Sequence, residues 1–189
     1  MTFERYHTMT GSRGSLAEVW IDRDAKLVKK LYKPDGITIR NRPPLHTDLD
    51  QIRALYENEL HWSKVLKSDL ILEIYEHGEL ADGAGFYIMQ EYVGPDLLHY
   101  FNSSDRLDNI VPDAAEQIVE MFEFFRDHSI YKLNNAMCNL TLADGRIKAF
   151  DFKYAIPRDP LKRHLEMHSI EQWIAKIDPR LPGMLADYV

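Results

Sequence analysis

The chain has almost no cysteine. Cys138 is the only one among 189 residues, which excludes an internal disulfide and is typical of a protein that folds in a reducing compartment. No cationic cluster near it marks a nucleophile, so we expect Cys138 to be a packed small side chain. The opening residues M-T-F-E-R-Y contain no apolar leader, and no apolar run approaches transmembrane length. These absences predict a cytoplasmic protein without a membrane span.

An excess of positive charge is also lacking. Lys and Arg number 23 against 30 Asp and Glu, which gives a net charge of −7 with both signs interspersed. This balance argues against a general nucleic-acid surface, although local lysines would still suffice for an acidic nucleotide. The apolar content of 45% is enough for the core of one compact domain or two small lobes.

The most informative stretch runs from His128 to Lys153. It predicts a helix end, a polar loop, and a β-hairpin turned at Asp144-Gly145, with strands over Leu140 to Leu142 and Ile147 to Phe150. The hairpin would bring Asn139 and an exposed Asp151 together, and amide and carboxylate oxygens suit Mg²⁺. The alternative is a plain hairpin with an Asn-rich loop, because Asn and Asp favour turns for backbone reasons.

This stretch resembles the catalytic segment of the protein-kinase superfamily, which places a loop Asn one hairpin before the Asp of a D-F-G motif. Asn139 and the D-F-K at Asp151 match that spacing, which implies a site for Mg²⁺ and ATP. Where the family has its base Asp the chain has Asn134, where it usually has His the chain has Lys132, and the loop lysine is replaced by Ala136. The resemblance thus implies an intact metal-binding half and an altered proton-handling half.

The N-terminal stretch is similar to the glycine-rich hairpin of the same family. The strands are predicted over Ala17 to Ile21 and Lys26 to Tyr32. The resemblance places the loop of Gly14 and Ser15 over the phosphates and matches Val19 to the valine that ends the glycine-rich motif. It also places Val28 over adenine and Lys30 on the α- and β-phosphates. Alternation predicts that Leu27 and Leu31 face the core and that Lys30 lies on the opposite face. A mobile glycine loop and solvated strand lysines are the alternatives.

A helix is predicted over Leu49 to Leu66, and the resemblance gives it a glutamate that pairs with Lys30. Glu59 is the candidate and Glu57 the fallback. Strands are predicted over Leu70 to His77 and Gly85 to Tyr92. In the second of these strands, the resemblance implies that Gln90 is the gatekeeper residue. It also implies that the backbone of Glu91 to Val93 forms hydrogen bonds with adenine.

Residues 1–93 are therefore expected to form an N-terminal lobe and 94–189 a reduced helical lobe. The second lobe contains a strongly periodic helix over Asp113 to His128 and another over Leu165 to Ile177, but no A-P-E segment after Asp151. A platform for a peptide substrate is thus reduced or missing.

The sequence predicts an α+β, two-lobed protein-kinase-like fold, with an N-terminal antiparallel sheet and one helix. Its expected function is pseudokinase-like: binding of ATP and Mg²⁺ with impaired catalysis, since the amide of Asn134 cannot accept a proton. One alternative is an active atypical phosphotransferase for a small-molecule, sugar or lipid-like acceptor. Another is an interaction domain that binds no nucleotide. The expected partners are a nucleotide and an unidentified acceptor or protein.

Overall fold

A computed structural model of the chain describes residues 1–6, 17–34, 48–102, 111–133, 137–162 and 174–186. The chain divides into two compact units. The first consists of Met1–His61 with Leu72–Tyr92, and the second of Trp62–Ile71 with Val93–Val189. An antiparallel five-stranded sheet forms in the first unit, while the second contains helices and short two-stranded pairs. The predicted α+β class and the N-terminal antiparallel sheet are confirmed.

The first unit is built on this sheet, whose strands follow the order β1-β2-β3-β5-β4. Their bounds are β1 Glu4–Arg5, β2 Ala17–Asp22, β3 Leu27–Tyr32, β4 Ile74–Glu79 and β5 Phe86–Glu91. Helix α1 spans Leu49–Val65. The core of the unit joins sheet residues to α1 residues and consists of Ala17, Tyr32, Ile52, Tyr56, Phe86 and Ile88.

Two local features accompany the pairing of β3 with its neighbouring strands. Between β2 and β3, the Asp22 carboxylate accepts a hydrogen bond of 2.9 Å from the backbone N–H of Ala25, and Lys26 adopts a φ of 54°. At the start of β5, a Cβ added to Gly85 would lie 2.0 Å from the carbonyl oxygen of Tyr32. Only glycine therefore lets β5 approach β3 this closely.

The predicted alternation along β3 is present, but the predicted core face is wrong. Val28, Lys30 and Tyr32 are buried, whereas Leu27 and Leu31 are half-buried. Glu59 of α1 is a direct partner of both Lys30 and Tyr32, so the helix covers their face of the strand. The physical reason is that residue period fixes which side chains share a face, while burial depends on what packs against it.

Strand β4 begins later than predicted. Leu70 and Ile71 belong to the second unit, where the carbonyl of Leu70 accepts a 2.8 Å hydrogen bond from the N–H of Ala149 and Ile71 forms a parallel bridge with the same residue. The apolar run that suggested a strand from Leu70 is thus buried against another segment, and sheet pairing starts at Ile74.

The second unit contains helices and two short strand pairs. Its helices are α2 Leu97–Asn102, α3 Ala114–Asp127, α4 Ile174–Ile177 and α5 Leu181–Met184, with 3₁₀ turns at Met137–Asn139 and Pro160–Lys162. Its strands are β6 Ile130–Tyr131, β7 Leu140–Ala143, β8 Arg146–Ala149 and β9 Ile156–Pro157. Strand β7 pairs with β8, and β6 pairs with β9. Of the helix predicted over Leu165 to Ile177, the part before Ile174 lies outside the described residues, and the remainder forms α4.

Helix α3 and the β7–β8 hairpin form the centre of this unit. The apolar stripe of α3 is buried, as its periodicity predicts. At the predicted Asp144-Gly145 turn both residues have positive φ, 49° and 80°, as a two-residue hairpin turn of type I′ requires. Gln117 of α3 braces the hairpin, since its side chain donates to the carbonyl of Gly145 at 2.9 Å and accepts from the N–H of Ile147 at 2.8 Å.

Within the described ranges, none of the helices combines the length and the apolar character needed to cross a bilayer.

Candidate functional site

In the first unit, four predicted nucleotide-binding side chains lie on one face of the sheet. Cross-strand register places Val19 opposite Lys30, and Val28 opposite Gln90. Partners that face each other across an antiparallel pair project to the same side, and Val28 and Lys30 are two residues apart on β3. The pairing of β2, β3 and β5 thus gathers residues from three separate segments into one patch.

A buried ion pair occupies this face. The Lys30 ammonium Nζ lies 2.6 Å from Glu59 Oε1, and the two side chains are only 8% and 1% exposed. The pairing that the resemblance implied is present, with Glu59 rather than the fallback Glu57. A charge-assisted hydrogen bond of this length fixes both side chains.

Tyr32 is a third member of this cluster, and the sequence reasoning missed it. Its hydroxyl donates to Oε2, the second carboxylate oxygen of Glu59. Tyr32 is itself 1% exposed and meets Tyr56 of α1 edge to face, with ring centroids 6.2 Å apart. A signal was available, because Tyr32 lies two residues after Lys30 on the same face of β3.

Two of the backbone N–H groups predicted to bind adenine already form hydrogen bonds within the protein. The N–H of Glu91 donates to the carbonyl of Glu73 at 2.9 Å, and the N–H of Tyr92 donates to the carbonyl of Lys26 at 3.0 Å. These two backbone N–H groups already donate within the first unit. They are therefore not available to donate to adenine, as was predicted for the stretch from Glu91 to Val93. Val93 is the first residue of the second unit's long segment.

In the second unit, the hairpin places Asn139 beside the residue that precedes Asp151. The N–H of Phe150 donates to the carbonyl of Asn139 at 3.1 Å, which continues the register that pairs Leu140 with Ala149. Asn139 is 7% exposed. Asp151 follows directly with a φ of 68°, a left-handed conformation that is uncommon for residues other than glycine. Such backbone conformations concentrate at functional sites.

Lys132 is fully buried and points toward the same segment. Its ammonium donates to the backbone carbonyl of Asp151 at 3.3 Å and lies 5.1 Å from the ring centroid of Phe152. Phe152 in turn meets Phe125 of α3 edge to face at 6.0 Å. The pairing of β6 with β9 holds the residues just before Lys132 near the chain that follows Phe152. Lys132 is thus placed to hold the backbone of Asp151.

The carboxylate of Asp151 is not exposed, contrary to the prediction. The ammonium of Lys153 contacts both of its oxygens, and the two side chains are 12% and 11% exposed. Lys153 also lies 5.5 Å from the ring centroid of Tyr154. Burial, together with the charge of Asp151, raises the pKa of the Tyr154 hydroxyl. No role was assigned to Lys153 from the sequence. The signal that could have indicated one is its position two residues after Asp151, close enough in sequence for an ion pair.

The oxygen donors of this segment fit a hard divalent cation. Mg²⁺ is commonly held by one or two carboxylates together with phosphate oxygens and water, which Asp151 and the amide oxygen of Asn139 would complement. Among the described residues there is no cluster of three or more His, Cys, Asp or Glu side chains that would hold a metal unaided. A cation held by Asp151 and Asn139 would therefore complete its coordination with water or with oxygens from a ligand.

Three predicted residues, Gly14, Ser15 and Asn134, lie outside the described residues. Cys138 is described, and it is exposed, so the packed role expected for it is wrong. The reason is that it lies on a 3₁₀ turn whose flanking residues, Met137 and Asn139, take the buried positions. The pKa of its thiol is raised, by desolvation from the surrounding protein atoms and by the charges of Asp96 and Asp151, which disfavours a thiolate nucleophile.

The chain matches no protein-family model and shows no significant sequence similarity to a curated protein.

Proposed function

We propose that this chain has a two-lobed protein-kinase-like fold and is a nucleotide-binding protein that takes ATP and Mg²⁺ and transfers phosphate poorly or not at all. The observation that carries the proposal is the buried ion pair of Lys30 and Glu59. A buried ion pair adds little net stability compared with apolar residues of similar size. Its presence on the face that also carries Val19, Val28 and Gln90 therefore favours a functional reason for keeping a lysine there.

The proposed roles in the first unit follow from this placement. The ammonium of Lys30, oriented by Glu59, binds phosphate oxygens of the nucleotide. Val19 and Val28 supply apolar surface for the adenine ring, and Gln90 lies opposite Val28 in the next strand. The hydroxyl of Tyr32 keeps the Glu59 carboxylate in place.

In the second unit, Asp151 and Asn139 are the residues that would hold Mg²⁺. The metal would neutralise negative charge on the phosphates. Lys132 acts as a positioning residue, because it binds the backbone carbonyl of Asp151 rather than projecting into solvent.

Weak catalysis is proposed because of Asn134. Transfer of a phosphoryl group depends mainly on positioning and charge neutralisation, and a general base typically adds about 10² to 10⁴ in rate. An amide at this position orients a hydroxyl group but accepts no proton from it. Efficient phosphate transfer by the native chain to a small-molecule acceptor would overturn this part of the proposal, and a gain in transfer on Asn134→Asp would support it.

Binding is tested by calorimetric titration of ATP with Mg²⁺ into the native chain, Lys30→Met and Lys29→Met. Lys29 is the matched control, since it is the neighbouring lysine of β3 and projects to the opposite face, 5.2 Å from the ring centroid of Tyr87. We expect ATP to bind the native chain and Lys29→Met alike, and Lys30→Met to bind at least about tenfold more weakly, as loss of a charge-assisted contact implies.

Circular dichroism at the titration temperature shows whether Lys30→Met is folded. If it is not, Lys30→Arg keeps the charge and changes the reach, and is expected to weaken ATP binding while Lys29→Arg leaves it unchanged. No ATP binding by the native chain, or equal binding by all variants, would contradict the proposal and favour an interaction domain that binds no nucleotide.

A further inference from the structure

The contact between Lys153 and Asp151 places a positive charge on the carboxylate proposed to hold the metal. Both oxygens of Asp151 are contacted by the same ammonium. The side chains are about nine-tenths buried, at 11% exposure for Lys153 and 12% for Asp151. A carboxylate this shielded from water depends on its partner to balance its charge.

The backbone that carries this carboxylate is held from both sides. Lys132 binds the carbonyl of Asp151, and the next residue, Phe152, is 1% exposed in the core of the second unit. After Phe152 a tight turn follows, in which the N–H of Ala155 donates to the carbonyl of Phe152 at 2.9 Å. The carboxylate therefore stays within reach of Lys153, whose backbone lies in that turn.

A divalent cation and Lys153 would have to share the same oxygens. Mg²⁺ binds carboxylate oxygens at about 2.0–2.1 Å and requires near-octahedral geometry. Two carboxylate oxygens have enough lone pairs for both partners, so the obstacle is electrostatic rather than geometric. The carboxylate of Asp151 alone does not neutralise the three positive charges of Mg²⁺ and the Lys153 ammonium at a site with little access to water.

We propose that Lys153 is a built-in counterion of Asp151 that competes with the divalent cation, so that nucleotide binding by this chain depends only weakly on Mg²⁺. The inference rests on the proposed nucleotide-binding function and deepens it. Lys153 supplies at this carboxylate the positive charge that the metal would otherwise bring. Removing the lysine removes the charge that competes with the metal.

The first test is a titration of the full chain with Mn²⁺ alone. Electron paramagnetic resonance measures the concentration of unbound Mn²⁺ at each step. The variants are Lys153→Met and, as a matched control, Lys162→Met, which removes an exposed lysine of the same unit. We expect Lys153→Met to bind Mn²⁺ at least about tenfold more tightly than the native chain, a typical coupling between contacting groups, and Lys162→Met to bind like the native chain.

A double-variant cycle ties this gain to the carboxylate. In the background of Asp151→Asn, Lys153→Met is expected to leave Mn²⁺ binding unchanged, because there is no charge left to compete for. Equal Mn²⁺ affinity of the native chain and Lys153→Met, or an equal gain in the Asp151→Asn background, would overturn the inference. If Lys153→Met does not fold, Lys153→Gln removes the same charge with a polar side chain and decides the matter.

The second test separates this inference from the proposed function. A fluorescent ATP analogue is titrated into the native chain with Mg²⁺ and with a chelator. Similar affinities in both conditions support the inference, whereas a loss of more than about tenfold in the chelator overturns it. Absence of binding in both conditions contradicts the proposed function and with it the nucleotide part of the inference, while the Mn²⁺ gain of Lys153→Met still reports on the competition.

Discussion

Each unit contains a lysine–carboxylate pair at its proposed ligand-binding residues, and the two pairs are built in different ways. Lys30 and Glu59 are 29 residues apart, and they meet because α1 covers β3. Lys153 and Asp151 are two residues apart and meet within one turn. The first carboxylate is 1% exposed and has Tyr32 as a further donor, whereas the second is 12% exposed.

Because of this difference, we expect the two pairs to contribute differently to the stability of the fold. A pair between distant segments forms only when the unit is folded, so its loss is felt in stability. A pair within one turn joins residues that are close in sequence, so its formation depends less on the packing of distant segments. We therefore expect Lys30 and Glu59 to matter for folding as well as for binding, and Lys153 to matter chiefly for how tightly a divalent cation binds at Asp151.

The largest effect is expected for Lys30→Met. Removing one partner leaves the buried carboxylate of Glu59 uncompensated, which typically costs about 3–5 kcal/mol of unfolding free energy. Urea unfolding followed by circular dichroism measures this loss, with Lys29→Met as the control on the other face, where we expect less than about 1 kcal/mol. The double variant Lys30→Met with Glu59→Met is expected to recover most of the loss, because no charge remains buried. Equal effects at Lys29 and Lys30 would contradict the importance of the pair.

A smaller effect is expected for Tyr32→Phe. The change removes one donor to the charged Glu59 and leaves the ring in the core, so we expect a loss of about 1.5–3 kcal/mol by urea unfolding. Tyr56→Phe is a control in the same core, because its hydroxyl pairs with a ring nitrogen, Nδ1 of His77, at 3.0 Å instead of with a carboxylate. A loss of about 0.5–1.5 kcal/mol is expected there. If Tyr56→Phe costs more than Tyr32→Phe, the hydroxyl of Tyr32 is not a significant support for Glu59.

Lys153→Met is expected to cost less than Lys30→Met. The carboxylate of Asp151 keeps more access to water than that of Glu59, and the pair is local, so we expect a loss of about 1–2 kcal/mol. The same urea series measures it, with Lys162→Met as an exposed control. A loss as large as that of Lys30→Met would remove the distinction between the two pairs.

The smallest effect on stability is expected at Asp22, a carboxylate whose hydrogen-bond donors are backbone N–H groups and not a lysine. Asp22 accepts hydrogen bonds from the N–H of Ala25 at 2.9 Å and of Thr2 at 2.7 Å. The Ala25 bond is the main cause that lowers the pKa of Asp22, against the opposing effect of desolvation. A lowered pKa means that the carboxylate stabilises the fold above the unfolded value of 3.8, and that this contribution is lost as the pH falls through the lower folded value.

Asp22→Asn tests this dependence. We expect a modest loss of stability at neutral pH that shrinks as the pH is lowered below 3.8, measured by thermal unfolding of both chains across the pH range. A difference between the two chains that stays constant with pH would show that the charge of Asp22 contributes nothing.

Much of the secondary structure was predictable because its signals are local. The turn at Asp144-Gly145 requires two positive φ values, and that dipeptide is one of the few that accept them. Helix α3 lies within one residue of its predicted bounds at each end, since its apolar stripe repeats at the helical period. The pairing of Lys30 with Glu59 was also foreseen, through the resemblance rather than through any pattern in the residues themselves.

The failures share a different cause. The buried face of β3, the late start of β4, the exposure of Cys138 and the burial of Asp151 all depend on which distant segment covers a residue. Alternation shows that Val28, Lys30 and Tyr32 share a face, and it is silent on whether that face meets a helix or water. In the same way, the apolar character of Leu70 and Ile71 shows that they are buried without showing which core receives them.

From its residue order alone, the chain specifies its turns, the periods of its helices and strands, and the chemical types available at Lys30, Glu59, Asn139 and Asp151. Tertiary packing assigns those residues their partners: Tyr32 to Glu59, and Lys132 to the carbonyl of Asp151. The reason is physical. Backbone preferences act over a few neighbouring residues, whereas burial and ion pairing arise from surfaces that meet only when segments far apart in sequence fold together.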